Sequence, residues 1–411
     1  MIIGIPRETK PGELRVAMTP DNVAFWAEKN VQFVVQAGAG TAAGYADADY
    51  KSAGAKIIKD RAEIFAQAEV IFQVQSIGAN DVNGDDDLSM VREGQVIAAM
   101  MDPLGGPQVA NTIAKTKATG IAMELVPRIS RAQSMDVLSS MATLAGYKAV
   151  LLGAVASPRI MPMLMTAAGT LQPIRAFIMG AGVAGLQACA TAKRLGAVVE
   201  AYDVRPAARE QILSVGAKPV ELDLETESSE GSGGYAKEQS EDFIQRQQEL
   251  MAAVLAEQDL VITTAAVPGA KSPILVTTDM VKAMKQGAVI VDLAAERGGN
   301  CELTKLGKTI VKHGVTIIGP ENLAATIANH GSQMYGKNME TLLGHIIDEE
   351  GNLKLDFEDE IIYETVIAHN GEVPHARMRD LLGLPALAVK EETVDAPEAV
   401  DSDTNNSEGD A

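Results

Sequence analysis

The chain has 411 residues, 46% hydrophobic and 22% charged, with a formal net charge of −20, which suits two or three globular domains around a large core. The negative balance argues against nucleic acid as a partner, which needs a basic stripe, and against an anionic membrane surface. Cys189 and Cys301 are the only cysteines, too few and too far apart for a disulfide scaffold or a cysteine-cluster metal site, so no metal and a cytoplasmic setting are expected.

The N-terminus turns polar after MIIGIP, unlike a signal segment, and no uncharged apolar run of about 18 residues follows. The longest candidate, AVLLGAVASPRIMPMLMTAAGTL, is interrupted by Pro158, Arg159 and Pro162, so a soluble chain is expected. Between Met1 and about Leu125, the β-rich runs IIGIP, VQFVVQ, EVIFQVQ, QVIAAM and GIAMEL alternate with amphipathic stretches such as TPDNVAFWAEKN, which predicts a parallel sheet covered by helices. A long helix is expected from Ser134 to about Ala156. Strands at RAFIMG, VVEAYD, DLVITT, AVIVDLA and VTIIG then build a second α/β unit between Ile174 and Gly319, and residues 321 to 345 read as helix. NLKLDFEDEIIYETVIAHNGEV reads as strands around turns that return to the first unit. From about Lys390 the chain is acidic and poor in large apolar residues, so disorder is expected. The fold class is α/β: two Rossmann-like, doubly wound parallel-sheet domains joined by long helices. Residues 1–135 with about 330–385 form one domain, 136–330 the other, and 390–411 an acidic tail.

Inside the second unit, residues 221–242 insert a Gly/Ser-rich acidic segment far longer than the usual connection of roughly 2 to 6 residues. Tyr235, beside Gly233, Gly234 and Lys237, suits a flap that closes over a ligand, against the alternative of an idle solvated insertion.

The run IRAFIMGAGVAGLQACATAKRLGAVVEAYDVR holds G-x-G-x-x-G as Gly180, Gly182 and Gly185, between a strand and a helix. Asp203 closes the next strand, near the spacing of about 20 residues that the motif asks for. Gly180 permits a tight turn, Gly182 lets backbone approach a pyrophosphate, and Gly185 lets helix and strand pack closely. The helix start at Val183 and Ala184 offers free N–H groups to phosphate. Asp203 is expected to accept from the adenosine ribose and repel a 2′-phosphate, which selects NAD over NADP; Val204 and Arg205 follow it, with Arg205 reaching the ribose or adenine edge. Ala266 and Val267 in TTAAVPGAKSP, together with DLAAERGGN, end two further strands and suit a floor for the nicotinamide ring.

GIPRETKPGELRVAMTP resembles the entry motif of the alanine dehydrogenase and nicotinamide-nucleotide-transhydrogenase superfamily. Alanine dehydrogenase needs a lysine and a histidine to move a proton with the hydride; the matching places here are Gln75 and a position near Met101, and the five histidines lie at 313, 330, 345, 369 and 375. RISRAQSMD, DVR, GGYAKE and GGNC are similar to the NAD(H)-binding soluble component of proton-translocating transhydrogenase, over residue 1 to about 380.

That resemblance implies that Arg128 and Ile129 contact the nucleotide and that Gln133 reaches from the nicotinamide toward a second nucleotide. It implies too that Asp136 and Ser139 steady the arginine and the carboxamide, and that Gly234 and Tyr235 belong to the flap. Gln133, Arg128, Asp136 and Ser139 are thereby the candidate catalytic group. The simpler alternative is a helix cap at Ser130 or Ser134 with charged flanks. The resemblance further implies hydride exchange between NAD(H) here and NADP(H) on a partner subunit, transmembrane transhydrogenase subunits, a homodimer, and a peripheral place at the cytoplasmic face of the inner membrane. A stand-alone amino-acid dehydrogenase, for which His330 or Lys10 would have to move the proton, and a noncatalytic NAD-binding module remain the alternatives.

Overall fold

The computed structural model describes residues 1–221, 241–267, 269–348 and 350–386. Gly234, Tyr235 and nearly all of the expected flap lie outside the described residues, as does the acidic tail. In chain order the strands of the first lobe are β1 (Ile2–Ile5), β2 (Gln32–Gln36), β3 (Lys56–Ile58), β4 (Val70–Gln75), β5 (Val96–Met100) and β6 (Thr119–Ala122). A hairpin of β7 (Leu164–Thr166) and β8 (Gly169–Leu171) follows. The second lobe holds β9 (Arg175–Met179), β10 (Val198–Tyr202), β11 (Lys218–Pro219), β12 (Leu260–Thr263), β13 (Val289–Asp292), β14 (Lys308–Lys312) and β15 (Val315–Gly319), and β16 (Val366–Ala368) comes last.

Two seven-stranded sheets result, ordered β16-β6-β5-β4-β1-β2-β3 and β11-β10-β9-β12-β13-β15-β14. β4 (VIFQVQ), β12 (LVIT) and β13 (VIVD) are buried along their whole length, as continuous apolar runs covered on both faces must be. Each sheet ends in one antiparallel strand, β14 or β16, where the sequence predicts parallel pairing alone. His313 and Gly314 both take positive φ (52° and 79°), the two-residue turn that sends β15 straight back along β14. NLKLDFEDEIIYETVIAHNGEV, expected to form strands, instead contains the helix Glu360–Thr365 before β16, with Asp359 capping that helix through Ile361 N.

Residues 130–135 form a 3-10 turn, and the long helix starts at Val137 rather than Ser134. Its N-cap is Asp136, which accepts from Ser139 N at 2.9 Å and from Ser139 Oγ at 2.6 Å, so neither Ser130 nor Ser134 is the cap. Among the described helices, Val137–Ala156 alone has the length and hydropathy of a membrane span. Here it is an interior strut, with Met141, Leu144, Ala149 and Val150 in the cores of the two lobes. A Cβ on its Gly146 would lie 2.1 Å from the Ala184 carbonyl oxygen, and one on Gly153 would lie 2.4 Å from Leu260, so both glycines let the strut lie directly on the second lobe. A second long helix, Ala328–His345, returns to the first lobe and buries Tyr335, Met339, Leu342 and Leu343 in its core beside Ile3, Val35 and Phe72.

Candidate nucleotide-binding cleft

The three fingerprint glycines serve three separate needs. Gly180 has φ +98°, and a Cβ there would come 2.5 Å from Thr264 Oγ1, whose hydroxyl donates to the Gly180 carbonyl at 3.0 Å. A Cβ on Gly185 would sit 1.8 Å from that same carbonyl, so helix Val183–Arg194 could not seat on β9 with any side chain there. Gly182 differs: a Cβ would meet nothing within 4 Å, which leaves open space in front of the backbone. As the N-cap it makes no side-chain hydrogen bond, so the first N–H groups of the helix face that space with the positive end of the helix dipole. The site therefore fits a pyrophosphate. Val183 is exposed and Ala184 half-buried at its edge.

Asp203 ends β10 beside this turn, and its Oδ2 accepts from Ala181 N at 2.7 Å. Arg205 is held on it: the backbone N and Nε reach Oδ1 and the far guanidinium nitrogen reaches Oδ2, each at 2.9 Å. The expected contact of Arg205 to the ribose or adenine edge thus meets a fork already engaged with the carboxylate. Val204 packs partly against the lobe's core.

At the carboxyl end of β12, Thr264 and Ala265 run against the first glycine and lead to the exposed Ala266 and half-buried Val267. Beside them β13 ends in Asp292, fully buried, and the chain crosses over it through Gly298 and Gly299, both at positive φ (95° and 84°). A Cβ on Gly299 would be 2.7 Å from Asp292 Oδ2, which explains the glycine pair in DLAAERGGN. Asn300, also fully buried, clamps Ala265. Sequence reasoning singles out neither Thr264, Asp292 nor Asn300 as a site residue; the double glycine before Asn300 is the available signal.

In the polar 3-10 turn, Ala132 and Met135 are buried while Arg131, Gln133 and Ser134 are exposed. Arg128 Nε lies 3.8 Å from Asp136 Oδ2, so Asp136 serves at once as helix cap and as counter-ion, with Ser139 on the same carboxylate. Ile129 packs against the first-lobe core. Two residues not foreseen brace the turn: Asn338 of the second long helix donates to the Ser134 carbonyl at 2.7 Å, and Asp359 pairs with Arg131 and with His345. Burial opposes ionisation of Asp359, but its bonds from Arg131 and His345 hold the carboxyl at about 2. The strut helix begins in this turn and meets the fingerprint helix at Gly146, roughly 15 Å along its axis, so one rigid element spaces the two clusters.

Among the described residues, the first-lobe face of the cleft carries no lysine–histidine pair. Gln75 is buried and donates to Glu13 Oε2 at 2.7 Å, Met101 is fully buried, and Lys10 is tied to the Ala79 carbonyl at 2.6 Å. Glu13 itself forms a buried ion pair with Arg15; burial resists its charge, but Arg15 outweighs that and sets the carboxyl at about 2. Two carboxyls titrate near neutrality instead. Burial, with Glu13 adding repulsion, pushes Glu8 up to about 8, and burial raises Glu124 to about 7. Both accept main-chain N–H groups, Glu8 from Val74 and Gln75 and Glu124 from Met101 and Asp102. Among the described residues, no group of three or more His, Cys, Asp and Glu is arranged to hold a metal ion.

Comparison with known proteins agrees with this architecture. The alanine dehydrogenase/PNT N-terminal domain matches residues 4–145 and the alanine dehydrogenase/PNT C-terminal domain residues 149–376. An NAD(P) transhydrogenase subunit alpha chain of Rhodospirillum rubrum is 44% identical over 377 residues, which cover 91% of this chain and 98% of that one. The alanine dehydrogenase of Methanococcus maripaludis is 28% identical over 398 residues, covering 94% and 98%. The crystal structure of transhydrogenase from Sinorhizobium meliloti superposes with a TM-score of 0.80 at 43% identity, over 91% of this chain and 100% of that one. With both domains matched in sequence and in fold, the chain belongs to the alanine dehydrogenase/PNT family.

Proposed function

We propose that the chain is the NAD(H)-binding subunit of a proton-translocating NAD(P) transhydrogenase, passing hydride between NADH and NADP held on a partner subunit. The observation that carries this reading is the first-lobe wall of the cleft, where Gln75 and Met101 stand in the places that a proton-moving lysine and histidine would need. Hydride exchange between two nicotinamides moves no substrate proton and asks only for positioning. When bound, NADH supplies the hydride. Gly182 and the start of the fingerprint helix would hold its pyrophosphate, Asp203 its adenosine ribose, and Arg128, Gln133 and Ser139 its carboxamide end. The wider assembly belongs to the same proposal: an NADP(H)-binding subunit and transmembrane subunits, which would place the chain at the cytoplasmic face of the inner membrane. A homodimer fits the β7–β8 hairpin, whose Met163, Leu164, Met165 and Leu171 are exposed apolar side chains on one short arm.

The test is to mix the purified chain and NADH with a purified NADP-binding transhydrogenase component and to follow reduction of NADP. Transfer that depends on both proteins is expected. A second reading, an alanine-type dehydrogenase, is favoured only by the near-neutral carboxyls of Glu8 and Glu124. An alanine-dependent reduction of NAD by the chain alone would establish it in place of the first.

A further inference from the structure

The peptide of Ala265 is held by a single side chain. Its N–H donates to Asn300 Oδ1 at 3.0 Å, and its carbonyl accepts from Asn300 Nδ2 at 2.8 Å, so the amide of Asn300 mimics a neighbouring strand. The same Nδ2 reaches the Pro273 carbonyl at 2.9 Å, and the Asn300 carbonyl accepts from Leu275 N and Val276 N. Asn300 is in turn fixed from behind. Asp292 Oδ2 accepts from Asn300 N (2.8 Å), Cys301 N (3.0 Å) and Thr304 Oγ1 (2.6 Å), and Oδ1 from Thr263 Oγ1 (2.9 Å) and Ala294 N (3.0 Å). All five donors are neutral and the carboxylate is fully buried, so its hydrogen bonds, which are strengthened by its charge, tie the ends of β12 and β13 into one unit. The chain after this unit is Ala266, exposed at the carboxyl edge of the sheet, where an open α/β fold binds the second half of a dinucleotide.

From this geometry we infer that Asn300, anchored by Asp292, is a positioning residue for the nicotinamide half of the bound dinucleotide, acting through the Ala265 peptide rather than by touching the ligand. The inference rests on the NAD(H)-binding reading above. A segment clamped on both its N–H and its carbonyl presents the next peptide in a fixed orientation, and a carboxamide with donors and an acceptor gains from that fixity. The adenine half would lie against β9 and β10, away from this network, so the two halves of the ligand separate the effect.

The test is calorimetric titration of the full chain and its Asn300→Ala variant with NADH and with ADP-ribose, which lacks the nicotinamide. The wild-type chain is expected to bind NADH more tightly than ADP-ribose. In Asn300→Ala that advantage shrinks by about tenfold, the scale of one to two lost hydrogen bonds, while ADP-ribose affinity stays within about threefold. Equal weakening of both ligands, or an unchanged ratio, overturns the assignment, because a merely structural asparagine moves both together or neither. Thr304→Val, which removes one donor from Asp292 and leaves Asn300 in place, covers the case in which Asn300→Ala fails to fold. It is expected to lower the same ratio by about twofold to threefold, and no change in it would again overturn the inference. A wild-type chain that bound no NADH would instead remove the functional reading itself.

Discussion

Asp203 reads the ribose in the presence of its own counter-ion, and that alters what its charge can do. With Arg205 forked on it, the carboxylate keeps lone pairs for hydroxyls but loses part of the repulsion that would exclude a 2′-phosphate. Nucleotide choice then depends on both residues, in opposite senses. Asp203→Ala is expected to weaken NADH by about 1–3 kcal/mol, through ribose hydroxyls left unpaired, and to strengthen NADPH because Arg205 loses its carboxylate partner. Arg205→Ala should weaken NADPH further while sparing NADH; fluorescence titration of both nucleotides reads each effect, and equal responses to the two ligands would refute the ribose assignment. Gln133 poses a different residue-scale question, since it is exposed on a braced turn and free to reach two partners. Gln133→Asn should leave NADH affinity within about tenfold, the worth of one neutral hydrogen bond. Single-turnover hydride transfer to the NADP-binding component should fall by about 100-fold, as expected for a displacement near 1 Å, whereas a proportionate loss of binding would make Gln133 an ordinary ligand contact.

At the scale of elements, the strut helix Val137–Ala156 decides how the two clusters stand to each other, through a contact only glycine allows. Gly146→Ala would drive a methyl into the Ala184 carbonyl at 2.1 Å, where backbone has to move. A loss of about 1–3 kcal/mol in chemical denaturation is expected, with weaker NADH binding because the displaced segment is the start of the fingerprint helix. Full stability with unchanged affinity would mean that the helices are not in this register. Gly146 also marks where the sequence is opaque: its need arises from a neighbour nearly forty positions away, and nothing in LAGYKAV announces it. The fingerprint is legible because its constraints are local, Gly180 needing positive φ and Gly185 close packing within one βαβ unit. β3 and β11 escape because three and two residues carry no period, and β14 because KTIVK at a sheet edge is mostly exposed and takes its direction from the His313–Gly314 turn. The cap of the strut is ambiguous in the sequence because Ser130, Ser134 and Asp136 all suit the role chemically, and only the extent of the 3-10 turn selects among them. Arg128, Gln133 and Ser139 are reached through resemblance; their spacing on an irregular turn has no periodicity to read.

The whole molecule is tied across its cleft by charges, and this makes stability a function of pH. Arg297 of the second lobe pairs with Asp102 of the first, while Asn322, at the end of the second sheet, bonds Glu13 and Arg15. Asp102 takes a left-handed turn (φ 49°), and the groups that hold that turn are its own N–H and that of Met101, both donating to Glu124 Oε1. The other oxygen, Oε2, is buried and has no hydrogen-bond partner among the described residues, so the ionised form is disfavoured by burial first and by Asp102 in addition, which is why Glu124 sits at about 7. A carboxyl raised from 4.5 to about 7 binds its proton more strongly in the folded state. Its contribution to stability is therefore complete below about pH 4.5 and is lost as pH rises through 7, and Glu8, raised to about 8, acts in the same direction. Glu13 and Asp359, held at about 2, act oppositely: their contribution is present above the ordinary carboxylate range and disappears only as pH falls toward 2. Between about pH 5 and 8 the first pair decides the slope, and the thermal midpoint of the wild-type chain should fall across that interval. Glu124→Gln keeps an oxygen for Met101 and Asp102 but cannot ionise, so its midpoint should fall less steeply, with the two curves drawing together on the acid side. Parallel curves from pH 5 to 8 would show that Glu124 is already ionised in the folded protein, and that the Asp102 turn is held beside a second negative charge.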